Sequence, residues 1–348
     1  MHKTYPLIEG AYVRDLLEQP DALRRTLKVP LPESLSRIAT RLYGPQPPFV
    51  VLTGMGSSFH ALHPLAIRLA ERGVRAAMIE TSELVHYANG LLGKDTILIV
   101  VSQSGQSAEI LRLLQMNGGR STILGVTNDP DSPLGNAAES LVLIRAGAES
   151  SVSCKTYVST LLSLIRIGEA LCANDSDNLS RDLEAVADST DRYLSNLREH
   201  VEEAQDLLQN ARHLIFAGRG GSLASAGTGG LIVKEASGFH AEGMGAAAFR
   251  HGPLEMVNEG MFLLVFEGAE RTASLNRRLV SDVLEIGGSA HLVSNRAHHK
   301  VFQIPATCES LQPILEILPV QMISLALAAR EGREAGAFSL ASKITAVE

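Results

Sequence analysis

The stretch PFVVLTGMGSS, residues 48–58, decides the fold. It is a short apolar run that ends in a glycine-rich turn. The residues that follow, 59–73, carry apolar side chains at helical spacing and end in a glycine. A strand, a turn and a helix in this order begin a βαβ unit, in which parallel strands are covered by helices.

The same order recurs further along the chain. Residues 75–84, 96–119 and 121–138 each read as a short apolar strand that feeds a polar loop or a helix. A helical stretch at 157–171 and a charged amphipathic segment at 179–210 follow. We therefore predict an α/β fold in which a mostly parallel sheet lies between helices in three layers, as in flavodoxin-like folds.

The pattern then restarts, with HLIFAGRGGS at 213–222 in the place of residues 49–58. Gly54 and Gly218 lie 164 residues apart, which is the size of a domain rather than of a solenoid repeat. Two copies of one α/β unit are expected. One loop differs between them, because residues 102–107 read SQSGQS whereas residues 267–272 read EGAERT.

The amino-acid composition excludes several kinds of protein. The 348 residues are 45% hydrophobic and 20% charged, which is the mix of a folded globular protein of two domains. Only 4% are aromatic, so the core must be aliphatic. A net charge of −7 argues against a nucleic-acid surface. The three cysteines have no metal-binding spacing, and no continuous apolar run reaches membrane length, so we expect a cytoplasmic protein with no metal site and no membrane partner.

Two loops predict a ligand site, because ligands of open parallel sheets bind beyond the carboxyl ends of the strands. These loops are residues 56–58 and 102–107, and the second opens into a helix. Hydroxyls, one amide and a helix N-terminus suit a phosphate monoester. The alternative is that serine and glycine only make a turn and cap a helix. A dinucleotide site is disfavoured, since Phe59 and Leu223 stand where the fingerprint has its third glycine.

Several stretches together resemble the tandem sugar-isomerase (SIS) family, and within it the isomerase half of glucosamine-6-phosphate synthase and its deaminase and deglycase relatives. The resemblance spans nearly the whole chain. It rests on the following segments: LEQPDALRRTL (17–27), GMGSS (54–58), VSQSGQSAEI (101–110), ESSVSCKTYVST (149–160), GRGG (218–221), VKEASGFHAEGMGAAAFRHGPLEMV (233–257) and ASKITAVE (341–348).

The resemblance implies a set of substrate-binding residues in the first copy. In the family the SQSG loop grips the sugar phosphate, its companion loop assists, and a segment ahead of a lysine contacts sugar hydroxyls. The chain is one residue shorter than the family pattern in that last segment, ahead of Lys155. The corresponding residues here are Ser57, Ser58, Ser102, Gln103, Ser104, Ser107, Ser151 and Ser153.

The resemblance also implies three catalytic residues. Glu235 corresponds to the base that moves a proton between C1 and C2, His251 to the residue that opens the sugar ring, and Lys343 to a lysine on the C-terminal tail that forms a Schiff base or stabilises an oxyanion. Ile232 stands where the synthase pattern has an earlier lysine, which puts a proton-shuttling role for that lysine in doubt.

Two local features bear on how these residues are held. Gly229 and Gly230 lie within the helical stretch that ends at Glu235, and glycines there predict close backbone packing. His251 follows the run GMGAAA, which we expect to be flexible, and precedes a Gly-Pro turn.

The expected organisation is a helical lead-in at 1–35, a first SIS domain at 36–172, a linker helix at 173–199, a second SIS domain at 200–335 and a tail at 336–348 that folds over the active site. Because family members place the histidine in a neighbouring subunit, the resemblance implies a homodimer with composite sites. No cofactor is expected. The chain starts MHK without a nearby cysteine, so no glutaminase domain is expected either.

The expected function is that of a phosphosugar isomerase or deaminase that interconverts a hexosamine 6-phosphate with a ketose phosphate and ammonia. A fructosamine-6-phosphate deglycase is a close alternative. A sugar-phosphate sensor is the alternative of another class. A sensor would need the SQSG loop but not the base, the histidine or the lysine, and all three are present.

Overall fold

The computed structural model describes residues 4–172, 177–338 and residue 343. In chain order its strands are β1 (Phe49–Gly54), β2 (Ala76–Met78), β3 (Thr96–Val101), β4 (Thr122–Thr127), β5 (Ser140–Leu143), β6 (His213–Gly218), β7 (Ala241–Gly245), β8 (Met261–Phe266) and β9 (Ser289–Val293). The α-helices are α1 (Ala11–Leu17), α2 (Gln19–Leu27), α3 (Ser34–Leu42), α4 (Gly56–His60), α5 (His63–Glu71), α6 (Thr81–His86), α7 (Ala108–Asn117), α8 (Pro133–Ala137), α9 (Lys155–Cys172), α10 (Asp177–Leu194), α11 (Leu197–Leu207), α12 (Leu223–Ser237), α13 (Ala246–Phe249), α14 (Glu270–Glu285) and α15 (Gln312–Arg330). Short 3₁₀ turns occur at Asn89–Leu91, Gly220–Ser222, Pro253–Met256, Lys300–Phe302 and Glu309–Leu311.

The described residues form two compact units, each built around one sheet. The first-sheet unit comprises described residues within 21–149, 155–180 and 340–348. The second-sheet unit comprises those within 1–20, 150–154 and 181–339. The domain boundaries given above stay a prediction.

The first sheet has five strands in the order β2-β1-β3-β4-β5, and every neighbouring pair is parallel. All six residues of β3 are buried, as expected of a central strand that is covered on both faces. On one face Leu98 and Val100 pack with Leu84 of α6 and with Ile110 and Leu113 of α7. Burying these aliphatic side chains is the main stabilisation of the unit.

The second sheet has four parallel strands in the order β7-β6-β8-β9. Its core contains Ile215 of β6, Leu263 and Val265 of β8, and Leu279 and Val283 of α14. The prediction of an α/β fold with a parallel sheet in each copy is confirmed.

The longest helix of the second-sheet unit is α15. The segment Glu309–Arg330 is long and apolar enough to cross a membrane by length and composition alone, and no other described helix is. However, 94% of its most apolar stretch is buried inside the structure. Its apolar surface therefore packs into protein, as in the core helix of a globular domain.

The expectation of a flexible GMGAAA run before His251 is wrong. Residues 241–245 form the edge strand β7, and residues 246–249 form the helix α13. Small residues are needed there because α12 lies directly on the strand. A β-carbon on Gly243 would meet the carbonyl oxygen of Ala226 at 2.0 Å, so the glycine marks a close approach rather than a loop.

Candidate functional site

The predicted ligand loops lie next to each other at the carboxyl edge of the first sheet. Gly54, the last residue of β1, pairs in register with Val101, the last residue of β3. The strand order reverses direction between these two strands, so the loops that follow them diverge from a topological switch point. Such a point is where open α/β sheets bind ligands.

Glycines shape both loops. A β-carbon on Gly54 would lie 2.9 Å from the carbonyl oxygen of Val101, so only glycine lets β1 turn beside β3. Gly105 has φ +65°, and a β-carbon there would also collide with the side chain of Ser132. The two turns are therefore fixed by steric demands that other residues cannot meet.

The residues of the SQSG loop are held by short-range hydrogen bonds. The Ser102 hydroxyl accepts a hydrogen bond from the backbone N–H of Gly105 at 3.1 Å. The Ser104 hydroxyl accepts one from the N–H of Gln106 at 3.4 Å. Ser107 occupies the N-cap position of α7, but its side chain makes no capping hydrogen bond. Hydroxyls and the positive end of a ten-residue helix thus meet in one loop, which suits an anion.

Ser57 and Ser58 lie in the five-residue helix α4 and are half-buried. His63 begins the next helix, α5. Burial lowers the pKa of His63 to about 4, and the nearby His60 acts in the same direction. The imidazole is therefore neutral near pH 7 and adds no positive charge beside this loop.

A buried carboxylate holds Lys343. The ammonium Nζ donates to Oε2 of Glu149 at 2.6 Å, and the Glu149 side chain is fully buried while that of Lys343 is 23% exposed. Glu149 also accepts hydrogen bonds from the backbone N–H and the hydroxyl of Thr156, in the first turn of α9, at 3.0 and 2.5 Å. Residues 339–342 and 344–348 lie outside the described residues, so the predicted course of the tail is not described.

Sequence reasoning missed Glu149, although it begins the ESSVSCKTYVST segment. The available signal was an acidic residue shortly before a long helix, where a carboxylate can accept from the first N–H groups. Its lysine partner lies 194 residues away, and nothing in the local pattern indicates that pairing.

In the second-sheet unit, Glu235 lies near the C-terminal end of α12 and is half-buried. The predicted close packing of this helix is confirmed. A β-carbon on Gly230 would meet the backbone N of Gly243 at 2.6 Å, and one on Gly229 would touch Phe216 and Val320 at 3.3 Å. The helix that carries Glu235 therefore lies directly on β7.

Two hydrogen bonds connect Ser151 to this helix. The Ser151 hydroxyl donates to the carbonyl of Gly336 at 2.8 Å, and the Gly336 N–H donates to the carbonyl of Ala236 at 2.9 Å. Gly336 has φ +73°, and a β-carbon on it would collide with the Ser151 hydroxyl. Ser153, two residues on, is half-buried.

His251 is exposed and follows α13. Its N–H donates to the carbonyl of Ala248 at 2.9 Å, and Gly252 has φ +129°. The preceding Arg250 is anchored by Asp282 at 2.7 Å. These contacts fix the turn while leaving the imidazole open to solvent.

The structure thus brings the six residues of the two ligand loops to one sheet edge and pairs Lys343 with Glu149 within the first-sheet unit. It places Glu235, His251, Ser151 and Ser153 in the second-sheet unit. That the two sets form one active site stays a prediction. Among the described residues, no three His, Cys, Asp or Glu side chains form a group that could hold a metal ion.

The corresponding edge of the second sheet is charged. Glu267 follows β8 and pairs with Arg277 at 2.6 Å. Glu316 of α15 is buried and accepts hydrogen bonds from the hydroxyls of Ser222 and Ser225, both at 2.8 Å. Burial raises the pKa of Glu316 to about 7, although these two hydrogen bonds act in the opposite direction. A cavity of about 540 Å³ is lined in part by Glu267 and Glu316.

Comparison with known proteins gives relatives and structural neighbours. The chain is 28% identical over 334 residues to a glutamine–fructose-6-phosphate aminotransferase (isomerizing) of Pyrobaculum aerophilum, a match that covers 92% of this chain and 54% of the relative. The chain spans about half the length of the curated relatives it matches.

Solved structures share the fold. The C-terminal domain of glucosamine-fructose-6-phosphate aminotransferase from Francisella tularensis superposes with a TM-score of 0.82 at 20% identity, covering 94% of this chain and 98% of the neighbour. Glucosamine-6-phosphate deaminase from Thermotoga maritima gives a TM-score of 0.78 at 16% identity, covering 97% and 100%. The SIS domain profile matches residues 47–165 and 207–330, which is more than half of the chain. The chain therefore belongs to the SIS domain family and carries two SIS segments.

Proposed function

We propose that the protein is a phosphosugar isomerase or deaminase that acts on a hexosamine 6-phosphate. The observation that carries this proposal is the hydroxyl-rich SQSG loop, which opens into α7 at the switch point of the first sheet. Hydroxyl donors and a helix N-terminus favour a phosphate dianion. They do not recognise a nucleotide base or another ring system. Relatives of the chain are named as aminotransferases of fructose 6-phosphate, which supports the same substrate class here.

The proposed division of labour follows the chemistry of each side chain. The loop residues Ser102, Gln103, Ser104 and Ser107, with Ser57 and Ser58, hold the phosphate, and Ser151 and Ser153 contact sugar hydroxyls. His251 opens the ring by taking and returning a proton. Glu235 then moves a proton between C1 and C2 through an enediol or enolamine, and one carboxylate can perform both transfers.

Lys343 supplies a cation at the carbonyl end of the sugar. Its amine either stabilises the oxyanion or adds to the ketose carbonyl with loss of one water to form an imine. Proton transfer from C2 to C1 would convert the amino group of a hexosamine into an imine at C2, and hydrolysis of that imine by one water would release ammonia and give the ketose phosphate. We propose that the protein acts as a cytoplasmic homodimer with composite sites.

Replacing Glu235 with Gln tests the assignment. We expect E235Q to lower kcat by roughly 10²–10⁴-fold, because a positioned general base contributes that much. Affinity for the sugar phosphate should stay within a few-fold. The assay supplies glucosamine 6-phosphate and a panel of related phosphosugars, including fructosamine adducts, and follows ammonia and ketose phosphate.

The matched control is E285Q, which changes an exposed glutamate at the end of α14 and should leave turnover unchanged. Full activity in E235Q would remove Glu235 from the mechanism. Tight phosphosugar binding without turnover of any panel member would instead indicate a sensor, and turnover confined to fructosamine adducts would indicate a deglycase.

A further inference from the structure

Glu149 is a buried, hydrogen-bonded carboxylate, unlike the carboxylate of a surface ion pair. Its side chain is fully buried, and the hydrogen bonds it accepts include two from Thr156 and one from Lys343. A buried carboxylate is costly unless it is paired and hydrogen-bonded. An exposed pair would contribute little, whereas this one fixes where the amine of Lys343 can lie.

The segment that leads from β5 to Glu149 is itself fixed. The side chain of Arg25 donates to the carbonyls of Arg145 and Ala146, the latter at 2.7 Å, and Thr26 donates to the carbonyl of Ile144. Arg145 has φ +49°, a conformation that residues other than glycine rarely adopt. Such a backbone persists only where surrounding contacts determine it, so the segment has one defined course.

Asn128 links this segment to the SQSG loop. Its side-chain amide donates a hydrogen bond to the carbonyl of Gly147 at 2.9 Å and accepts one from the backbone N–H of Ala146 at 2.9 Å. Its own backbone N–H donates to the carbonyl of Gln103 at 3.1 Å, and the hydroxyl of Thr127 donates to the same carbonyl at 3.1 Å. The phosphate loop and the segment before Glu149 therefore share one hydrogen-bonded frame.

We propose that Glu149 is a positioning residue that holds the Lys343 amine in place relative to the SQSG loop. Asn128 keeps that loop and the segment before Glu149 in register with each other. The inference rests on the proposed function, since it names what holds one of the proposed catalytic groups. Glu149 acts through the lysine, because its Oε2 accepts a hydrogen bond from the Lys343 ammonium at 2.6 Å. The unit holds the amine in place before a sugar phosphate arrives.

A double-mutant cycle tests the coupling. We expect E149Q to lower kcat by about 10²-fold with a much smaller change in KM, as misplacing one reacting group does. K343M should lower kcat at least as much. The double variant should be no worse than K343M alone, because the role of Glu149 is exercised through the lysine. E149D, which keeps the charge, should recover part of the activity. Losses that multiply in the double variant would overturn the proposal.

A second readout does not depend on turnover. An amine in an ion pair with a buried carboxylate reacts slowly with acetic anhydride, so labelling of Lys343, followed by peptide mass spectrometry, should be several-fold faster in E149Q than in the wild type. Equal labelling in the two proteins would overturn the positioning of Lys343 by Glu149, even if the enzyme is active. If labelling is clearly faster in E149Q but the protein turns over no phosphosugar, the proposed function is refuted while the positioning of Lys343 by Glu149 is supported.

The control variant is E169Q. Glu169 pairs with Arg68 at 3.1 Å in the same unit, and both side chains are largely covered. Its loss should change neither kcat nor the labelling of Lys343. Melting temperatures of all variants distinguish misfolding from misplacement, and T156V, which removes one hydroxyl donor to Glu149 but keeps both charges, should reduce kcat less than E149Q.

Discussion

The carboxyl edges of the two sheets differ in what they present, although the sheets share strand order around β1–β3 and β6–β8. The first edge carries hydroxyls and the N-terminus of α7. At the second edge, Glu267 is paired with Arg277 and the hydroxyl of Ser222 donates to Glu316. The two units therefore share a scaffold while their loops differ. The first edge carries hydroxyls and a helix N-terminus, whereas the charged groups at the second edge pair with one another.

The largest expected effect comes from making the first edge resemble the second. S104E places a carboxylate in the SQSG loop, as in the EGAERT loop, and opposes a phosphate. We expect affinity for glucose 6-phosphate to fall by at least about 10²-fold, because like charges at an interface cost several kcal/mol. Isothermal titration measures it. E267Q at the second edge should bind as the wild type does. Unchanged affinity in S104E together with altered affinity in E267Q would place phosphate at the second sheet instead.

The next effect concerns pH and Glu316. Its pKa is raised from 4.5 to about 7 by burial, so the folded state holds the proton more tightly than the unfolded chain. Its contribution to stability is therefore present below pH 4.5 and is lost as the pH rises toward about 7. The difference in free energy of unfolding between the wild type and E316Q should change by about 3 kcal/mol over this range. Urea denaturation at several pH values measures it, and parallel profiles would contradict it.

The smallest effect concerns helix α12, on which the second-sheet unit carries Glu235. G230A should destabilise the unit by about 1–3 kcal/mol, since the new methyl group meets the backbone of Gly243 at 2.6 Å, and backbone cannot give way. G229A meets only side chains, at 3.3 Å, and gains helix propensity, so it should be nearly neutral. Thermal unfolding compares the two. Equal stability of both variants would show that α12 does not depend on this close approach.

The sequence predicts those parts of the molecule that local periodicity determines. Apolar runs that end in glycine-rich turns indicate β1, β3, β6 and β8, and parallel strands place their loops at one edge. The strand β7 is different, because its sequence AEGMG has little strand propensity, and it takes its place in the sheet by pairing with β6 beneath α12.

The candidate site divides in the same way. The SQSG loop is visible because turn, hydroxyls and helix start are contiguous. Glu149, Asn128 and Glu316 could not be identified, since each takes its role from a partner far along the chain or on another element. Glu316 in particular lies in a helix that reads as apolar core, and only the serines of another helix and turn explain a buried carboxylate there.

The first residues of the chain have a consequence for the order of folding. Tyr12 is fully buried in the second-sheet unit, where Ser324 donates to its hydroxyl at 3.4 Å, and Gln19 exchanges two hydrogen bonds of 3.0 Å with Gln321. On a ribosome, α1 is made about 300 residues before the helix that covers it. The second-sheet unit must therefore wait for α15, and the first-sheet unit for Lys343, so both units complete their interiors only when the last part of this sequence has been synthesised.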